Sequence, residues 1–261
     1  MCYPFDAQPP ATPGGNREAV ATKDLVLTSA DGTKFAATYA KAINPTGAGI
    51  VVLPDVRGLF PFYEELARGF AAQGVDAVAI DYFGRTAGVA KRGEDFSFME
   101  HVRQTKQAQI AQDAAAAVAY LRSPEGGSCS SLFTVGFCFG GSNSWNQAAA
   151  GHGLAGVIGF YGRPGPGFDG TPGPAQRAKD FTCPVLGLMG GADQGIPREQ
   201  VEEFRKALQE AGVEHEIVVY PGAPHSFFDR SYAEHAEASA DAWRRVLAFI
   251  RSHQRQPAAA T

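Results

Sequence analysis

The feature that most constrains this chain is an alternation of short apolar strands with amphipathic helices. Residues 49–53 form a continuous apolar run, as a strand buried on both faces requires. Residues 61–73 read as a helix with Phe62, Leu66 and Phe70 on one side, closed by Gly74, and residues 77–80 as the next buried strand. A long helix is expected over 103–122, with Ile110, Ala114, Ala117 and Leu121 on one stripe. Further strands fall at 131–136, 156–160, 185–189 and 214–220. Helices are expected after the Gly-rich turn at 136–141, from Pro197 to Ala211, and over 241–251. This pattern predicts an α/β fold: a mostly parallel sheet flanked by helices on both faces. Upstream, residues 24–28 and 34–39 flank Asp31-Gly32, which predicts an N-terminal β-hairpin.

The expected organisation is an extended arm without a core of its own over 1–22, a single domain over 23–253 and a flexible tail over 254–261. The arm is expected because its first twenty residues are rich in Pro, Gly and small polar side chains. Residues 162–178 are the only long irregular stretch, and such a loop inside a domain is more often functional than idle.

Composition bears on partners. With 23 Lys and Arg against 27 Asp and Glu, the net charge is −4, which argues against nucleic acid or an anionic membrane as the main partner. No apolar run approaches the roughly 20 residues of a membrane span, and the first ten residues have no signal-peptide pattern. Four cysteines are too few for a disulfide scaffold, and no Cys or His spacing suggests zinc. The expectations are a cytoplasmic protein, monomeric or a small homo-oligomer, with no metal and no cofactor.

The chemistry-bearing motif is Gly136-Phe137-Cys138-Phe139-Gly140-Gly141, directly between a strand and a helix. It is a nucleophile elbow with Cys in place of the more usual Ser. The helix N-terminus stabilises negative charge beside the sulfur, and the Phe139 N–H lies where an oxyanion would form. Taken alone, Cys138 is equally readable as a small hydrophobe in a packing turn. The downstream order decides against that. Asp193 follows the 185–189 strand, and His225 sits in a Gly-Ala-Pro turn after the 214–220 strand. Nucleophile, acid and His, each past the carboxyl end of a strand, are placed as the parts of a hydrolytic triad. In that triad His225 moves the proton and Asp193 fixes the imidazole tautomer.

These residues, with Gly159-Phe160-Tyr161-Gly162, Ile196-Pro197 and Gly222-Ala223-Pro224-His225-Ser226-Phe227, resemble the dienelactone hydrolase (carboxymethylenebutenolidase) family over about residues 23–250. The resemblance implies a cofactor-free α/β-hydrolase that opens an enol-lactone, or a small activated ester, on an anionic substrate. It implies a second oxyanion N–H from Val56, a nucleophile-gating role for the residue at Asp55, and substrate contacts from Tyr161, Arg85 and Arg230. Asp55 stands where the family usually has Glu, and Arg230 is offset by one residue from the family spacing. The competing reading is a generalist esterase with an apolar pocket lined by Phe60, Phe137, Phe139, Phe160, Phe227 and Phe228; less favoured is a non-catalytic ligand-binding relative.

Overall fold

Eight strands form one sheet in this computed structural model, which describes residues 5–12, 14–228 and 233–255. In chain order they are β1 (Thr22–Thr28), β2 (Lys34–Ala40), β3 (Ala48–Leu53), β4 (Val75–Ile80), β5 (Ser131–Phe137), β6 (Gly156–Phe160), β7 (Val185–Gly190) and β8 (His215–Tyr220). Their spatial order is β1-β2-β4-β3-β5-β6-β7-β8. The expected hairpin pairs β1 with β2 antiparallel, β2 meets β4 antiparallel, and every later pairing is parallel. β3, β4, β5 and β6 are buried at every position, which is why their sequences carry no polar alternation.

The helices are α1 (Pro61–Ala71), α2 (Gly84–Ala87), α3 (Phe98–Val102), α4 (Gln107–Arg122), α5 (Phe139–Asn146), α6 (Pro174–Arg177), α7 (Arg198–Glu210) and α8 (Ala236–His253). The long helix expected from residue 103 begins at Gln107 instead. The Thr105 hydroxyl donates to the Val102 carbonyl at 2.6 Å and Lys106 is extended, so the chain turns between α3 and α4. α8 starts five residues before the expected 241, because its first buried positions, Ser239 and Ala242, give little hydrophobic signal. Pro197 lies just outside α7 as its cap.

The N-terminal arm is packed rather than detached. Ala7, Thr12 and Val20 are buried, and Phe5 stacks on Phe60 with ring centroids 6.3 Å apart. Arg17 straps the arm by donating to Thr12 Oγ1 at 3.0 Å and to the carbonyls of Pro9 and Pro10. At the other end, the Arg255 N–H donates to Ser131 Oγ at 2.8 Å; the expected tail beyond it lies outside the described residues. Among the described residues, no helix is long and apolar enough to cross a membrane.

The parallel strands bring the loops after β3, β5, β6, β7 and β8 to one edge of the sheet. In open α/β sheets ligands bind outside these carboxyl ends.

Candidate active site

Cys138 occupies the single residue between β5 and α5 with φ 56° and ψ −115°, a left-handed conformation costly for any residue with a side chain. The flanking glycines make that turn possible. A Cβ on Gly136 would collide with the Gly140 carbonyl, and one on Gly140 with the carbonyls of Leu53 and Pro54. The Cys138 N–H donates to the Phe160 carbonyl at 3.0 Å, tying the elbow to β6. Cys138 is half-buried, whereas Cys129 and Cys183 are buried with their thiols pushed up to about 12, first by burial.

Asp193 and His225 meet as their positions after β7 and β8 suggest. His225 Nδ1 lies 2.6 Å from Asp193 Oδ2, and Asp193 Oδ1 accepts the Gly195 N–H at 2.8 Å. The carboxylate is 1% exposed and the imidazole 33%, so one is held inside and the other faces the cleft. Tyr161, itself at φ 35°, is fully buried with its ring centroid 4.9 Å from that of His225. Cys138, His225, Tyr161, Phe139 and Val56 all line one cavity of about 220 Å³.

Val56 is presented by a rigid turn. Asp55 is fully buried; its Oδ1 accepts the Arg57 N–H at 2.8 Å and its Oδ2 pairs with the Arg57 guanidinium at 3.1 Å. The Asp55 N–H donates to the Tyr63 hydroxyl at 2.9 Å, and the Tyr82 hydroxyl donates to the Pro54 carbonyl at 2.8 Å. Among the described residues, neither the Val56 nor the Phe139 N–H is spent on a backbone hydrogen bond. Asp55, given a gating and substrate-contact role by the resemblance, is not on the cavity wall and turns its carboxylate onto Arg57 of its own loop. A side chain one methylene shorter than Glu folds back onto its own turn, where it accepts the N–H two residues on. Burial pushes its carboxyl upward, with Arg57 opposing.

Arg85 also departs from expectation. Its guanidinium holds both oxygens of Asp113 at 2.8 and 2.9 Å and takes Asp31 at 2.8 Å, and it does not line the cavity. Asp113 is fully buried in α4, so its charge demands this partner. Arg230 lies outside the described residues. Of the phenylalanines expected in an apolar pocket, only Phe139 lines it; Phe60, Phe137, Phe160, Phe227 and Phe228 are in the core.

Among the cavity residues that escaped the sequence reading are Arg163 and Phe168. Both belong to the irregular stretch at 162–178, whose length was the available signal. Arg163 is the sole Lys or Arg on the cavity wall among the described residues.

A parallel-sheet scaffold with a strained elbow after β5, an acid after β7 and a histidine after β8 defines an α/β-hydrolase. The family model for the dienelactone hydrolase family matches residues 35–254, and the chain belongs to that family. It is 33% identical over 229 residues to a Yersinia pestis protein provisionally named a carboxymethylenebutenolidase, covering 85% of each chain. A provisionally named carboxymethylenebutenolidase of Escherichia coli K12 is 30% identical over 211 residues, covering 78% of this chain and 76% of the other. The crystal structure of a Klebsiella pneumoniae protein provisionally named a dienelactone hydrolase superposes with TM-score 0.78 at 30% identity, covering 89% of this chain and 99% of that one. The fold extends to the acylaminoacyl peptidase of Pyrococcus horikoshii, with TM-score 0.74 at 16% identity over 93% of this chain and 43% of that one. The chain is thus a hydrolase of the dienelactone hydrolase type.

Proposed function

We propose that this hydrolase cleaves an enol lactone or a small activated carboxylic ester through Cys138, His225 and Asp193. The observation that carries the reading is the 2.6 Å contact between His225 and a buried Asp193, on a cavity that Cys138, at the strained elbow, also lines. The Asp193 contact assigns the proton on Nδ1 and directs Nε2 to the proton transfers. Cys138 Sγ attacks the acyl carbon, and His225 takes the thiol proton as the S–C bond forms. The tetrahedral oxyanion is received by the N–H groups of Phe139 and Val56. Collapse breaks the C–O bond, and the imidazolium returns the proton to the leaving alkoxide or enolate. Water, deprotonated by His225, then attacks the thioester; the C–S bond breaks and the proton returns to sulfur.

The nucleophile sets the bond type. Thiolate is itself a good leaving group, so from an amide's intermediate it competes with the amine unless the amine is strongly protonated, whereas an enol or phenol oxygen departs readily. A small ester or lactone fits a cavity of this size. A carboxylate on that substrate would meet Arg163, since Arg85 is held by Asp113 and Asp31.

The test is turnover of phenyl acetate by the wild-type protein and by C138A, with iodoacetamide labelling followed by peptide mapping. Expected are a kcat loss of about 10⁴-fold or more in C138A and inactivation that tracks alkylation of Cys138. Undiminished turnover by C138A overturns the reading.

A further inference from the structure

The loop between β6 and α6 is a built projection. Its two ends touch: a Cβ on Gly173 would collide with the Gly165 carbonyl, and the Ala175 N–H donates to the Pro164 carbonyl at 3.0 Å. Its tip is closed by the Gly167 N–H on the Thr171 carbonyl and the Gly170 N–H on the Gly167 carbonyl, both at 3.0 Å. Asp169 Oδ1 accepts from the Thr171 N–H and hydroxyl at 3.1 and 2.5 Å. Prolines at 164, 166, 172 and 174 restrict the backbone further.

The projection is also docked. The Gln107 side chain donates to the Pro172 carbonyl at 3.2 Å and accepts from Arg177 at 2.9 Å, and Arg177 reaches Asn146 Oδ1 at 3.1 Å. These contacts tie the loop to the start of α4, the end of α5 and the end of α6. What this scaffolding holds out is Phe168, 61% exposed and on the cavity wall. Its ring lies 6.0 Å from that of Phe139, at 36°. Phe139 directly follows the nucleophile, so the pair borders the position of the reacting carbonyl. With Phe139, Phe168 gives the cavity wall two neighbouring aromatic rings, a setting that suits a planar ring packed against them. Because the loop is fixed beforehand, little ordering entropy is left to oppose that packing.

We propose that Phe168, with Phe139, forms an aromatic subsite that receives a planar ring of the substrate, so that the hydrolase selects aryl-bearing esters or lactones over aliphatic ones. This selectivity rests on the triad reading above, and the ring faces Phe168 and Phe139 in an offset or tilted stack. Phe168 is a specificity-determining residue for binding.

Three activated esters test it: vinyl acetate, which has no ring; phenyl acetate, with the ring on the leaving group; and vinyl benzoate, with the ring on the acyl group. In F168A, KM for at least one ring-bearing ester is expected to rise about tenfold more than KM for vinyl acetate, with the kcat ratio among substrates unchanged. F168Y is expected to restore the wild-type discrimination. Which ring-bearing ester responds assigns the subsite to the acyl or the leaving-group side. Equal change on all three esters, or none, overturns the proposal. Binding of phenyl acetate, measured by ligand-observed NMR, is compared in C138A and C138A/F168A, where turnover plays no part. Equal affinities there overturn the aromatic subsite while leaving the triad standing; weaker binding by the double variant supports the subsite even if the wild-type protein turns over none of the three esters.

Discussion

Two regions of this molecule hold a carboxylate against a basic side chain, and they suit different chemistry. Asp193 and His225 meet at 2.6 Å beside the cavity, and Asp113 and Arg85 meet at 2.8 and 2.9 Å beneath the β1–β2 hairpin. Both carboxylates are sealed from solvent. The difference lies in the base. Imidazole can give up and regain a proton near neutral pH, and it faces the cleft. Guanidinium stays charged and is gripped as a fork by one acid while a second, Asp31, takes its Nε. The first arrangement suits proton transfer. The second locks α2, α4 and the hairpin turn together, with the Ser29 hydroxyl also donating to Asp113.

The largest expected break in this comparison is at Asp193. D193N keeps the shape but favours the wrong imidazole tautomer, and kcat on phenyl acetate should fall by about 10⁴-fold, with the denaturation midpoint close to wild type. R85A should do the reverse. It strands the buried Asp113 charge and should lower stability by about 3 kcal/mol, read by urea denaturation. Discrimination between carboxylate-bearing and neutral esters should persist. Loss of that discrimination in R85A would return the residue to the substrate site. R163A should instead reduce that discrimination, by about fivefold in KM, as expected of one partly solvated charge contact, with no change in unfolding.

The smallest effect concerns pH. The Arg85 hydrogen bond to Asp31 holds that carboxyl down at about 2, from 3.8. A folded-state value below the unfolded one contributes stability that is present above pH 3.8 and lost as pH falls through about 2. D31N should therefore flatten the acid side of the stability curve between those two values, in equilibrium unfolding followed by circular dichroism. An unchanged acid limb would show that Asp31 and Arg85 are not coupled in solution.

Much of the site was legible because strand, turn and histidine signals are local. The Gly136–Gly141 segment names its own geometry: only glycine fits where backbone presses on backbone. Arg85 misled for the opposite reason. The residues that claim its guanidinium stand 28 positions downstream and 54 upstream, and nothing near Arg85 in the chain announces them. The Asp55 side chain could not be aimed from sequence, because its pairing with Arg57 depends on the shape of the turn that carries both. Phe168 was hidden within a stretch flagged only for its length, since its aim depends on Gln107 and Arg177 from other elements.

The sequence alone determined the alternation of strands and helices, the turn at Cys138, and the placing of Cys138, Asp193 and His225 each after a strand. Each depends on periodicity, steric demand or turn chemistry acting over a few neighbouring residues. The tertiary structure decided which charged groups were consumed by the scaffold and which side chains line the cleft. Burying a charge requires a partner, and which partner is within reach is set by how distant elements pack, a relation that no local pattern encodes.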